Sequence, residues 1–206
     1  RVKYFNSRRE GLAVKLNAGS GRNTLDGWVN LDSQPLPGVD VVFDLETCRH
    51  KAIPLDDDCV DQFLVSHILE HIVDVLPMMQ ELHRVAKNGA IMEIRVPHGL
   101  HNRAWEDQTH VRAYTQGSFG YFSQPHYFGA DYGYRGDWRA DKIVLVSKKA
   151  YFPDGIPSVT AMIDLFNTYN NMVEEMVAYM TAIKPIRRAG YEYMDNPAIT
   201  VQLTGE

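Results

Sequence analysis

The chain has 206 residues, of which 45% are hydrophobic, 23% charged and 11% aromatic, and its formal net charge is −5. This composition fits one globular domain long enough to fold without a disulfide or zinc staple, and it excludes a disordered tail. The acidic balance offers nothing to a bare phosphate backbone, so no nucleic-acid partner is expected.

Cys48 and Cys59 are too few for a disulfide framework and lack C-x-x-C spacing, which suits a reducing compartment. No apolar run approaches the ~18 residues of a membrane span. The first residues, RVKYFNSRRE, lack the apolar centre of a signal peptide. A single cytoplasmic domain over residues 1–206, making no membrane contact, is the expectation.

In chain order, residues 12–16 read as a short β run that ends in Asn17-Ala18-Gly19-Ser20-Gly21. A second run, 28–31, follows the turn pair Asp26-Gly27 and ends at Asp32; a third, 39–43, ends at Asp44. After an acidic loop around Asp56, Asp57 and Asp58 comes a fourth run, 60–65, and a fifth follows at 90–96. Their Val, Leu, Ile and Phe content is that of buried parallel strands. Residues 74–87 read as a helix capped by Asp74, with Val75, Met78, Met79, Leu82, Val85 and Ala86 on one stripe and Asn88-Gly89 as its stop.

A strand–helix–strand unit of this kind builds a parallel sheet. The spacing therefore predicts an α/β, Rossmann-like, doubly wound sheet of about seven strands, mostly parallel with an antiparallel last strand. Beyond it, 98–134 is aperiodic and rich in aromatic, His and Gly residues, a loop or lid on the acceptor side. A sixth strand is predicted at 142–146. A long helix is predicted from Ser158 to a stop at Pro185, striped with Met162, Met172, Met176 and Met180, and a last strand at 198–203. An exposed part of that stripe would offer a homodimer seam.

Glycines at the end of a first strand let the backbone approach a ligand. Acids ending the next two strands would lie beside them, where open parallel sheets bind ligands, and a carboxylate there accepts ribose hydroxyls. An adenosine-containing ligand is implied. The run Gly19-Ser20-Gly21-Arg22-Asn23-Thr24 lacks the third glycine of a dinucleotide fingerprint, and no G-K-[ST] follows.

Five segments in order are similar to the motifs of class I S-adenosylmethionine-dependent methyltransferases, with the type-11 branch most alike. They are Lys15-Leu16-Asn17-Ala18-Gly19-Ser20-Gly21, Gly27-Trp28-Val29-Asn30-Leu31-Asp32, Val41-Val42-Phe43-Asp44-Leu45, the stretch from Asp61 to Ser66-His67-Ile68-Leu69-Glu70-His71, and Leu82-His83-Arg84-Val85-Ala86-Lys87-Asn88-Gly89-Ala90.

The resemblance implies S-adenosylmethionine as cofactor. Asn17, Ala18, Gly19, Ser20 and Gly21 would lie against its methionine part, Asp32 on the ribose, and Asp44 with Leu45 at the adenine. Ser66 and His67 would border the sulfonium and the acceptor. Two departures are Ser20, where many relatives have Cys, and Asn88-Gly89-Ala90 in place of Pro-Gly-Gly. Glu93 and Arg95 share one face of the fifth strand, where apolar residues are expected; either they pair or that face is partly open.

His67-Ile68-Leu69-Glu70-His71 also reads as H-x-x-E-H, an inverted zinc-peptidase signature that needs a helix to align its histidines. A five-residue pattern recurs by chance, so the peptidase is the weaker reading; local hydrogen bonding is the plainer role for Glu70 and His71, and no metal site is expected. In the loop, Asp107-Gln108-Thr109-His110-Val111-Arg112 resembles the family's D-x-T-H-x-R segment. His110 and Asp107, with His67, are the candidate catalytic residues, since methyl transfer to oxygen or nitrogen needs alignment and a proton acceptor. His98, His101 and Arg112 are candidate acceptor-binding residues.

Strand four ends without D/N-P-P-Y/F and no Pro-Cys nucleophile is present, which points away from nucleic-acid methylation and toward a small sugar or metabolite, oxygen ahead of nitrogen. The alternative is a methyltransferase-like module that binds without turnover.

Overall fold

The computed structural model describes residues 13–205. Leu12, the first residue of the first β run, and the leading RVKYFNSRRE segment lie outside the described residues. Eight strands form one sheet in the order β3-β2-β1-β4-β5-β7-β6-β8. They are β1 (Lys15–Ala18), β2 (Val29–Asp32), β3 (Val41–Val42), β4 (Val60–Ser66), β5 (Ala86–Pro97), β6 (Trp138–Lys148), β7 (Val173–Ala182) and β8 (Ala198–Thr204). The first five are parallel, with Leu16 beside Phe63 and Val29, and Val65 beside Ile94. Strand order reverses between β1 and β4, so the carboxyl ends of these strands frame the crevice where such sheets bind ligands. The doubly wound α/β expectation is met.

The antiparallel strand is β7, inserted between β5 and β6, whereas the last strand, β8, runs parallel to β6 at the sheet edge. The helix expected from Ser158 to Ile183 is therefore two elements. Helix α2 (Val159–Thr168) opens on Ser158, whose hydroxyl accepts the Ala161 N–H. The chain then turns through Asn171, in the left-handed region at φ 63°, into β7.

Helix α1 (Val75–Val85) buries Val75, Met78, Met79, Leu82 and Val85, as the stripe requires. Its ends differ from expectation. Asp74 makes no side-chain cap and instead pairs with Arg49. The chain turns extended at Ala86, and Gly89, at φ 82°, lies inside β5 rather than at a helix stop.

The core lies on the α1 side of the sheet, where Phe63, Met92, Met180 and Ile143 share a face and Trp138 packs edge-on to Phe63 at 5.4 Å. Met162, Met176 and Met180 belong to this core, and Met172 packs against it partly buried. On the opposite face Arg95 Nε donates to Glu93 Oε1 at 2.7 Å, and both side chains are part-exposed.

The links from β1 to β2 and from β2 to β3 contain no helix. Side chains hold them instead. Asn17 Nδ2 donates to Asn30 Oδ1 at 3.0 Å and to the Asn23 carbonyl at 2.9 Å. Asn30 exchanges bonds with Leu25 in both directions, and its N–H donates to Asp40.

Candidate active site

The glycine turn sits at the end of β1. Gly19 and Ser20 N–H both donate to the Leu31 carbonyl at 2.9 Å, which folds the turn back over β2. Gly19 (φ 71°) and Gly21 (φ 53°) are in the left-handed region, where residues with a Cβ are disfavoured. A Cβ on Gly19 would also come within 2.7 Å of Ile68 Cγ1. Asp32 reaches back to the turn, accepting the Gly21 N–H on Oδ2 at 2.7 Å and the Gln34 N–H on Oδ1 at 2.9 Å. Each carboxylate oxygen keeps a further lone pair for a ligand hydroxyl.

Asp44 caps the 3-10 turn Leu45–Arg49 through its Oδ1, and Leu45 is buried beneath it. Ser20 Oγ is buried with no hydrogen-bond partner. An orphaned hydroxyl in a glycine turn, two carboxylates at adjacent strand ends and a backbone with no room for a side chain suit a polar nucleoside ligand.

β4 delivers Ser66 and then His67, a non-glycine residue at φ 52°. Its ring is held from both sides, by Glu70 Oε1 at 3.2 Å and Glu175 Oε1 at 2.9 Å. These two carboxylates push its pKa up to about 9, Glu175 contributing most. His67 is therefore an imidazolium at neutral pH, with its two N–H groups donating to these carboxylates. The following turn, Leu69–His71, is a single 3-10 turn, so the helix that an H-x-x-E-H peptidase needs is missing.

Next to this turn is a cavity of about 500 Å³, lined by His67, Glu70, His71, Asp107, His110 and Glu175 among others. Three candidate catalytic residues, His67, Asp107 and His110, thus meet in one pocket. Val111 N–H donates to the Glu70 carbonyl at 2.8 Å, which ties the Asp107–Arg112 loop to the end of β4. Asp107 Oδ1 accepts the Thr109 N–H and hydroxyl, at 2.8 and 2.7 Å, and these bonds hold its carboxyl below the usual carboxylate range. His110 is bonded through Nδ1 to the Ala104 carbonyl at 3.2 Å, and its Nε2 lies 4.0 Å from Asp107 Oδ2.

The expected acceptor-binding trio does not assemble. His98 is buried and its Nδ1 accepts the Leu100 N–H; His101 Nδ1 accepts the Arg103 N–H. Both stabilise turns. Arg112 donates to the Val73 carbonyl at 3.1 Å and lines a separate aromatic groove with Tyr121 and Tyr132. Within the loop, Tyr114, Phe119, Phe122, Tyr127 and Tyr134 join the core, while Trp105, Tyr121, Phe128 and Tyr132 are exposed. Sequence reasoning passed over Glu70, His71 and Glu175 as pocket residues. The H-x-x-E-H pattern marked the first two; nothing local marks Glu175, which comes from β7.

Residues 25–94 match a family model described as Methyltransferase domain, of the type-11 group. A solved S-adenosylmethionine-dependent methyltransferase from Archaeoglobus fulgidus is 16% identical, with 83% of this chain and 86% of that one covered and a TM-score of 0.59. A second, from Thermotoga maritima, is 11% identical, with 82% of each chain covered and a TM-score of 0.50. No curated protein sequence matches significantly. The fold is that of class I methyltransferases. Within it, residues 25–94 are the part similar to the type-11 methyltransferase model.

Proposed function

We propose that the chain is an S-adenosylmethionine-dependent methyltransferase acting on a small-molecule acceptor, with a sugar or metabolite hydroxyl as the favoured target. The observation that carries this reading is Asp32, at the end of β2, accepting the Gly21 N–H of the glycine turn that ends β1, with Asp44 just beyond neighbouring β3; the two acids fall within the matched residues 25–94. The bound cofactor would supply a methyl group on a sulfonium. The chain's own residues do the rest.

Asn17 to Gly21 would hold the methionine part, Asp32 the ribose, and Asp44 with Leu45 the adenine end. Ser66 would border the sulfonium. The acceptor would lie in the cavity between His67 and His110. There His67, a cation held by Glu70 and Glu175, would place positive charge beside the acceptor, while His110 Nε2, with Asp107 beside it, takes the proton released when the hydroxyl is methylated. Alignment contributes most of the rate, since direct displacement needs the acceptor oxygen in line with the leaving sulfur. The acidic charge of the chain supports a small acceptor over a nucleic acid.

Among the described residues no helix is long and apolar enough to cross a membrane. The helix-free links after β1 and β2 favour one other reading, a domain that binds the cofactor without turnover. Methyl transfer from labelled S-adenosylmethionine to a panel of hydroxylated metabolites separates the two. Turnover that His110→Ala lowers about 100-fold with cofactor affinity kept supports the mechanism. Cofactor binding with no transfer to any acceptor supports the second reading.

A further inference from the structure

We infer that Glu70, His71 and His110 form a binding site for one divalent first-row transition-metal ion. One ligand atom from each lies within 4.8 Å of the other two. Zinc ligands at 2.0–2.2 Å stand about 3.3 Å apart around a tetrahedron, so closure by ~1.5 Å or less completes the set.

The hydrogen bonding around the site leaves one free ligand atom on each residue. Thr109 Oγ1 donates its proton to Asp107 Oδ1 at 2.7 Å, so toward His71 Nδ1, at 2.9 Å, that oxygen can only accept. His71 therefore carries its hydrogen on Nδ1, and Nε2 keeps its lone pair. His110 Nδ1 likewise donates to the Ala104 carbonyl at 3.2 Å, again leaving Nε2. Glu70 uses Oε1 on His67, while Oε2 is buried with no partner and its side chain is only 2% exposed.

A buried carboxylate oxygen without a partner is costly unless something positive meets it. Two imidazoles with fixed tautomers beside such an oxygen are the donor set, and the outer hydrogen bonds, of a two-histidine, one-carboxylate metal centre with open positions. Asp107 and Glu106 add carboxylates to the same cavity wall, where Glu174 is paired with Lys148 at 2.7 Å and with Arg103 at 3.9 Å.

The pattern differs from an H-x-x-E-H zinc site. His67 is engaged by Glu70 and Glu175, and His110 from the distant loop takes its place. The site does not depend on the methyl-transfer reading. With a cation bound, His110 becomes a ligand and Asp107 is left as the proton acceptor of the cavity.

The test is titration of the purified, metal-stripped full chain with Co²⁺, followed by visible absorption, with Zn²⁺ as competitor. The expected result is one equivalent of Co²⁺ bound, its absorption lost on adding Zn²⁺. Affinity should be at least ~10-fold weaker in Glu70→Gln and His110→Ala, also weakened in Thr109→Val, which releases the His71 tautomer, and unchanged in His50→Asn. No stoichiometric binding by folded wild-type chain, or binding undiminished in Glu70→Gln and His110→Ala, overturns the inference. A separate S-adenosylmethionine titration reports on the methyltransferase reading, so either can fail without the other.

Discussion

Gly19 and Ile68 are in such close contact that a Cβ on the glycine would stand 2.7 Å from Ile68 Cγ1 and 2.9 Å from its Cβ. The turn after β1 and the turn after β4 are thereby locked together at the crevice. Gly19→Ala should lose about 1–2 kcal/mol to the left-handed backbone alone, with the overlap added, and should weaken cofactor binding by displacing the turn. Adding Ile68→Ala should recover only part of the stability, because the φ of 71° remains. Urea unfolding of both variants checks this; a Gly19→Ala chain as stable as wild type would contradict it.

Asp32 is the next link in the crevice, bonded to the Gly21 and Gln34 N–H groups. Asp32→Ala should lower S-adenosylmethionine affinity by about 1–3 kcal/mol, by removing the ribose acceptor and loosening the turn. Asp32→Asn keeps an acceptor oxygen and should fall in between. Equal affinity of wild type and Asp32→Ala, measured by calorimetry on folded protein, would rule out the ribose assignment.

The acceptor loop is anchored far from its chemistry, by Arg187. Its guanidinium grips Asp137, whose side chain is fully buried, at 2.8 and 2.9 Å, and Asp195 at 2.7 Å. Asp137 also accepts the Gln124 N–H, which ties the loop to β6. Arg187→Met would strand a buried carboxylate and should cost about 3–5 kcal/mol. Arg187→Met with Asp137→Asn should be less damaging than Arg187→Met alone, and the urea midpoints would show it.

Burial, aided by Lys184, holds the pKa of His83 below its ordinary value, and its Nε2 is bonded to the Ile183 carbonyl at 3.1 Å. The unfolded chain then binds the proton more readily than the folded one. The stability from neutral His83 is thus fully present above about pH 6.5 and is lost as the pH falls below it. His83→Gln should lose less stability between pH 7.5 and 5.5 than wild type. His98, His101 and His126 shift in the same direction and remain, so the reduction is partial. An identical acid loss in both chains would contradict the assignment.

The parallel half of the fold was legible because β2, β4 and the later part of β5 are mainly apolar runs ending at informative residues: Asp32, Ser66-His67 and Pro97. β7 was not, for a physical reason. Val173, Met176, Val177 and Met180 are buried and fall at i, i+3, i+4 and i+7, which a helix stripe also satisfies. Only Asn171, at positive φ, breaks the pattern, and nothing in its identity alone forces that.

The glycine turn and its acids could be read from strand-end position. The pocket could not, because it depends on meetings across the fold. Thr109 bonds His71 from 38 residues away and Glu175 reaches His67 from 108. The Glu93–Arg95 pair, anomalous for a covered strand, was a correct sign that this face of the sheet is partly open.

The central claim is tested most directly by calorimetric titration of the folded chain with S-adenosylmethionine and S-adenosylhomocysteine, with ATP and NAD as controls. Saturable micromolar binding of the first two, absent for the controls and weakened in Asp32→Ala, is the predicted result. Failure of both to bind would contradict the cofactor assignment and leave the crevice at β1, β2 and β4 without its ligand.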